Sequence, residues 1–179
     1  MENRAEVGLL TRSIIIQGFE PDLNNGFGGH VMAGPGSLMK VEGVELLNMG
    51  QSGILARYPL HWHLADIAVP GNYVRNNSIH NTFNRCITVH GTRGVTVENN
   101  VCYETEGHSF FVEDASEENN TYRNNLGINA RLAKRAIIDS DDEHVFSPAV
   151  FWIGNPNNNF YNNVAAGSEG VGFWFDVPH

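Results

Sequence analysis

The chain has 179 residues, enough for one domain with a core, and 41% of them are hydrophobic, which argues against disorder. Its net charge of −9 argues against a nucleic-acid binder, which would carry a basic stripe; Arg131, Lys134 and Arg135 are the one tight basic group. No run of about 18 apolar residues offers a membrane span, and Met1-Glu2-Asn3-Arg4 leads into no apolar signal segment.

The first strand-like run is Ser13-Ile14-Ile15-Ile16, so the chain reads as an excerpt of a longer protein. His30-Val31-Met32 and Leu60-His61-Trp62-His63 follow. An Asn pair then recurs, in Val74-Arg75-Asn76-Asn77, Val97-Glu98-Asn99-Asn100, Tyr122-Arg123-Asn124-Asn125 and Phe160-Tyr161-Asn162-Asn163, with the pairs 23, 25 and 38 residues apart. Such a period marks a repeat architecture, and with short β-rich segments between turns it predicts an all-β parallel β-helix of about six coils. The chain is expected to be one such domain over 1–179. The longer third interval predicts a loop inserted over 129–147. The last strand-like run is Phe173-Trp174-Phe175.

Aligning on the Asn pairs gives a map of the coils. Arg85-Cys86-Ile87-Thr88-Val89-His90-Gly91 falls over His108-Ser109-Phe110-Phe111-Val112-Glu113-Asp114, then over Phe151-Trp152-Ile153-Gly154 and Phe173-Trp174-Phe175-Asp176. Leu60-His61-Trp62-His63 lies one coil earlier, and His30-Val31-Met32 earlier still in looser register. Strand alternation sends Leu60 and Trp62, Ile87 and Val89, Phe110 and Val112, Phe151 and Ile153, Phe173 and Phe175 inward. The Asn pairs sit at turns, where stacked amides can hydrogen-bond along the solenoid. Cys86 and Cys102 fall in different columns, which predicts free thiols.

Two outward columns carry the candidate chemistry. One reads His61, Thr88, Phe111, Trp152, Trp174; the other reads His63, His90, Glu113, Gly154, Asp176. An aromatic outer column is either a binding surface or one that a loop such as 129–147 covers. Strands stack ~4.8 Å apart and alternate residues along a strand lie ~6.6 Å apart, so His30, His61, His63 and His90 are expected to converge. Such imidazoles suit a metal ion, acid–base chemistry or a structural network. The catalytic candidates are His63, His90, Glu113 and Asp114. The metal candidates are His30, His61, His63 and His90. Phe111, Trp152, Trp174, Arg57, Arg85 and Asp176 are the substrate-binding candidates. The acidic run Asp139, Asp141, Asp142, Glu143 reads as a solvated loop, with calcium binding as the sharper alternative. Asn76-Asn77-Ser78 and Asn119-Asn120-Thr121 are glycosylation sequons if the source is eukaryotic and the protein secreted.

The runs Gly28-Gly29-His30-Val31-Met32, Arg57-Tyr58-Pro59-Leu60-His61-Trp62-His63-Leu64, Asn76-Asn77-Ser78-Ile79-His80-Asn81, Thr88-Val89-His90-Gly91, Gly107-His108-Ser109-Phe110-Phe111-Val112-Glu113-Asp114 and Phe151-Trp152-Ile153-Gly154-Asn155-Pro156-Asn157 also carry a resemblance. They resemble the β-helix region that follows the G8 domain in the family of cell-migration-inducing hyaluronan-binding proteins and transmembrane cell-surface hyaluronidases; fibrocystin-like proteins share the architecture. The resemblance implies a right-handed parallel β-helix and an extracellular or cell-surface setting. It also implies binding and depolymerisation of a glycosaminoglycan such as hyaluronan, by a glycosidase or a lyase, with calcium as a dependence. The cofactor expectation is thus a divalent metal: calcium by resemblance, or a transition metal at the histidines. These 179 residues hold no G8 domain, and the 129–147 loop is short and lacks cysteines. The expected partner is a polysaccharide, with no nucleic acid and no membrane span. A non-catalytic carbohydrate-binding or adhesion module is the alternative function, and a structural spacer would leave the histidine-rich face unexplained.

Overall fold

Three short strands and three turns make each coil of this chain, and the Asn pair sits at one of the turns. The computed structural model describes residues 4–19, 24–135 and 147–176. The chain enters through β1 (Ile14–Gln17) and β2 (Val31–Ala33). The next coils are β3 (Lys40–Glu42), β4 (Val44–Leu47) and β5 (Leu60–Ile67), then β6 (Tyr73–Arg75), β7 (Ser78–Thr82) and β8 (Ile87–Arg93). β9 (Thr96–Glu98), β10 (Val101–Thr105) and β11 (Phe110–Val112) follow, then β12 (Thr121–Arg123), β13 (Leu126–Ala130) and β14 (Ala149–Ile153). The last coil is β15 (Asn159–Tyr161), β16 (Val164–Ser168) and β17 (Val171–Phe175). There is no helix among the described residues.

Every third strand stacks, giving three parallel sheets that form the walls of a parallel β-helix. Wall one is the 5-stranded sheet β3-β6-β9-β12-β15. Wall two is β1-β4-β7-β10-β13-β16, and wall three is β2-β5-β8-β11-β14-β17, each 6-stranded. The predicted inward stack is in register: Leu60 pairs with Ile87, Ile87 with Phe110, Phe110 with Phe151, and Phe151 with Phe173. Adjacent rings stack at 4.7 and 4.8 Å between centroids. All but the outermost of these residues are buried in one continuous core; Phe173 and Phe175, on the last described coil, are 45% and 62% exposed.

The Asn pairs divide two tasks. The first member takes a left-handed backbone, with φ of 58° at Asn76, 54° at Asn99, 54° at Asn124 and 50° at Asn162, a conformation Asn tolerates better than most residues. The second member forms the expected ladder. Asn77 Nδ2 donates to Asn100 Oδ1 at 3.0 Å, Asn100 Nδ2 to Asn125 Oδ1 at 3.1 Å, and Asn125 Nδ2 to Asn163 Oδ1 at 3.0 Å. Each amide also caps a main-chain carbonyl of the coil before it, as Asn100 does for Val74. Buried main-chain groups at the corner therefore keep their partners.

The expectation of free thiols is overturned. Cys86 and Cys102 form a disulfide, with their Cα atoms 6.3 Å apart. Column position compares residues along one wall. Cys86 directly precedes β8 of wall three and Cys102 lies on wall two, both inside the core, and the bond crosses the interior between the two walls. The bulk of the 129–147 loop, with its acidic run Asp139, Asp141, Asp142 and Glu143, lies outside the described residues.

Candidate functional site

Wall three carries the site on its outer face. Along β5, Leu60 and Trp62 turn into the core, which sends His61 and His63 outward. β8 lies beside β5 with His63 opposite His90, and the register shifts just beyond, between His63 and Asp66. Gly91 sits at this irregularity with φ of +52°, and a Cβ there would meet Leu64 Cδ2 at 2.7 Å. A side chain would displace the strand end that presents His90.

The three imidazoles converge. Ring centroids are 4.9 Å apart for His61–His63, 5.0 Å for His63–His90 and 6.1 Å for His61–His90. One ligand nitrogen from each lies within 4.8 Å of the others. His61 is 0% exposed, and its Nδ1 meets the Ala56 carbonyl at 3.2 Å, which fixes the hydrogen on that nitrogen. Its Nε2 is buried without a partner among the described atoms. Burial lowers the His61 pKa to about 3; the Ala56 bond opposes this, and the charges of His63, His90 and Arg85 reinforce it. Burial and then His90 also lower the His63 pKa, against a pull from Asp114.

His90 bridges two partners. Its Nε2 is 2.6 Å from Asp114 Oδ2, and its Nδ1 is 3.1 Å from His63 Nδ1. A carboxylate only accepts, so the His90 hydrogen lies on Nε2 and its Nδ1 presents a lone pair. Glu113 stands beside the pair, with Oε2 3.7 Å from His90 Nδ1 and Oε1 3.8 Å from Arg85 Nη1. Arg85 is itself buried. It donates to Tyr58 Oη at 2.8 Å and lies 3.9 Å above the Phe111 ring centroid. Burial pushes the Tyr58 pKa up to about 12, against the pull of Arg85.

His30 is not part of this group. The residue in register with His61 is Met32, so His30 falls ahead of β2, where Arg57 Nη1 donates to its Nε2 at 2.9 Å. Burial and the Arg57 charge lower the His30 pKa. Arg57 is thereby engaged near the first coils. Phe111, Trp152 and Trp174 form the expected outward column in register, but Phe111 and Trp152 are buried in a second small cluster with Ala149. The ring of His108 packs on Phe111 at 5.1 Å and on Trp152 at 4.7 Å. Trp174 is half-buried and Asp176 exposed at the far end of the wall. The Glu113 column does continue to Asp176, because Glu113, Gly154 and Asp176 each donate their N–H to the strand below.

The family model described as CEMIP beta-helix matches residues 26–179. The chain belongs to this family. It is 39% identical to the cell migration-inducing and hyaluronan-binding protein of Mus musculus over 100% of this chain and 16% of that protein. It is 38% identical to the cell surface hyaluronidase CEMIP2 of Homo sapiens over 98% of this chain and 15% of the relative. It is 35% identical to the fibrocystin-L of Mus musculus over 97% of this chain and 5% of that protein. The chain thus spans about a sixth of the first of these relatives and less of the last.

Two residues of this CEMIP β-helix that the sequence did not single out complete the site. Tyr58 holds Arg85 and packs its ring against His61 at 4.9 Å. Glu117 is fully buried and accepts from the Gly91 N–H at 2.6 Å and from the Asp114 N–H at 3.1 and 3.2 Å. It ties the main chain after His90 to the main chain of Asp114. Burial raises its pKa, against those main-chain bonds. Glu117 lies in a turn with no periodic position, so only its placement between Asp114 and the Asn119-Asn120 turn hinted at it. The nitrogen-rich donor set does not fit calcium, which takes oxygen ligands; it fits a borderline transition metal.

Proposed function

We propose that this domain binds a linear uronic-acid polysaccharide of the hyaluronan class along wall three and depolymerises it beside His90. The observation that carries this is the chain His63–His90–Asp114 with Glu113 at its side. Two imidazoles and the Asp114 carboxylate at hydrogen-bonding range, with the Glu113 carboxylate 3.7 Å from His90, can hold and pass a proton at a glycosidic oxygen or a ring carbon, a contribution of roughly 10²–10⁴ in rate. The Asp114 carboxylate orients His90. Glu113, between His90 and the Arg85 guanidinium, is the proton carrier. Phe111 and Trp152 are covered on the outer face, which leaves Trp174 as the remaining stacking face, with Arg57 and Asp176 toward opposite ends of the wall. The names of two relatives, a hyaluronan-binding protein and a cell surface hyaluronidase, support the substrate class and an extracellular or cell-surface setting. No helix among the described residues is long and apolar enough to cross a membrane.

The test is to incubate the protein with hyaluronan and with other uronic-acid polymers and follow product size. Parent protein is expected to shorten hyaluronan. Glu113→Gln, with its fold checked by circular dichroism, is expected to shorten it at least 100-fold more slowly while retaining binding, which is the signature of a lost proton carrier. Undiminished cleavage by Glu113→Gln would remove that residue from the reaction. One relative is named for binding rather than cleavage, which favours a second reading, a binding module. Polymer retained at full length by the parent protein would establish it.

A further inference from the structure

We propose that His61, His63 and His90 bind one divalent transition-metal cation of the zinc class. The observation behind this is His61 Nε2, a lone pair on a 0% exposed side chain with no partner among the described residues, aimed into the space that the other two rings line. A buried polar atom left unmade costs roughly 1–3 kcal/mol, and folds rarely keep one at a surface cluster without a ligand to meet it.

The remaining geometry fits a ligand set. His61 is fixed by the Ala56 carbonyl and His90 by the Asp114 carboxylate, each through the nitrogen that faces away from the cluster. That is how metal-binding imidazoles are ordinarily held, since the second nitrogen's bond sets the tautomer and aims the lone pair. Two nitrogens bound at about 2.1 Å in a tetrahedron stand ~3.4 Å apart. The nitrogens here lie within 4.8 Å of one another, and the closest two are 3.1 Å apart, so small ring rotations bring all three onto one ion. His63 and His90 are partly exposed and give the ion an entry path, while His61 forms the buried floor. Three protein ligands with one open side are the arrangement of catalytic rather than structural zinc sites. Glu113 borders that side. The inference deepens the proposed function by adding an electrophile beside Glu113, and it rests on that reading only for what the ion would do; binding is tested without polysaccharide.

The test is to strip the protein with chelator, remove the chelator, and titrate with Co(II), following visible ligand-field absorption, then to compete with Zn(II). One equivalent of Co(II) with tetrahedral or five-coordinate absorption, displaced by zinc, is expected. His61→Ala is expected to abolish the band, Asp114→Asn to weaken binding about 10–100-fold, and His30→Ala to leave it unchanged. Parent protein that takes up no Co(II), which needs no variant to interpret, overturns the proposal. So does weak uptake of several equivalents that His61→Ala leaves unchanged, or displacement of the ion by calcium at equal concentration. Cobalt uptake with no polysaccharide cleavage would leave the metal site standing and remove the proposed reaction.

Discussion

His61 sits in surroundings far from those of a free side chain, and its charge state sets a testable pH dependence. Burial holds its pKa at about 3, against about 6.5 in an unfolded chain. Between those values the unfolded chain binds a proton that the folded one does not, so stability rises with pH across this window and falls as the solution is acidified. Above pH 6.5 the contribution is fully present. With chelator present, the parent protein is expected to lose about 2 kcal/mol from this group between pH 7 and pH 5, and His61→Gln is expected to flatten that part of the slope. Parallel chemical unfolding curves for the two proteins at both pH values check it; identical pH slopes would refute it. Glu117 acts differently, through main-chain donors. Removing its carboxylate in Glu117→Ala strands the Gly91 and Asp114 N–H groups and is expected to cost about 2–3 kcal/mol in thermal or denaturant unfolding.

At the scale of the turn and the strand, the two members of each Asn pair predict opposite responses. Asn99 contributes a left-handed backbone, which glycine supplies without strain, so Asn99→Gly should change stability by less than about 1 kcal/mol. Asn100 accepts from the Asn77 main chain and side chain and donates to Val74 and Asn125, all within the buried corner. Asn100→Ala should cost about 2–4 kcal/mol, and unfolding midpoints of the two variants measure the contrast. This ladder was legible in the sequence because a solenoid turns a spacing of 23 or 25 residues into vertical neighbours. The inward stack from Leu60 to Phe173 and both outward columns were legible for the same reason. What the column map misses is contact between walls or ahead of a strand. Cys86–Cys102 joins two walls, His30 slips off its column by two positions, and Glu117 reaches the site from a turn. The map also gives direction without depth: Phe111 and Trp152 point outward as expected, yet are covered.

The molecule as a whole is acidic, and that sets how it can meet an anionic polymer. Its net charge is −9, and among the described residues many basic side chains already face carboxylates. Arg75 pairs with Glu42, Arg93 with Glu118, Arg131 with Glu104 and Lys134 with Glu106, while Arg123 pairs with Glu98. The Arg131 and Lys134 group that stood out in the sequence is therefore not a free basic patch. Proteins that capture polyanions by charge lose affinity steeply as salt rises, because their basic groups release counterions or lose long-range attraction. This domain has the opposite long-range field. Under the proposed function, recognition of a uronic-acid chain would have to come from short-range contacts on wall three, against a weak general repulsion that salt screens. Hyaluronan binding, measured by surface plasmon resonance in about 50 mM and about 300 mM salt, is accordingly expected to hold or tighten at the higher value, with the change in the association rate. A tenfold loss of affinity over that range would mean that a basic surface outside wall three does the binding, and that the face around His90 is not where the polymer first lands.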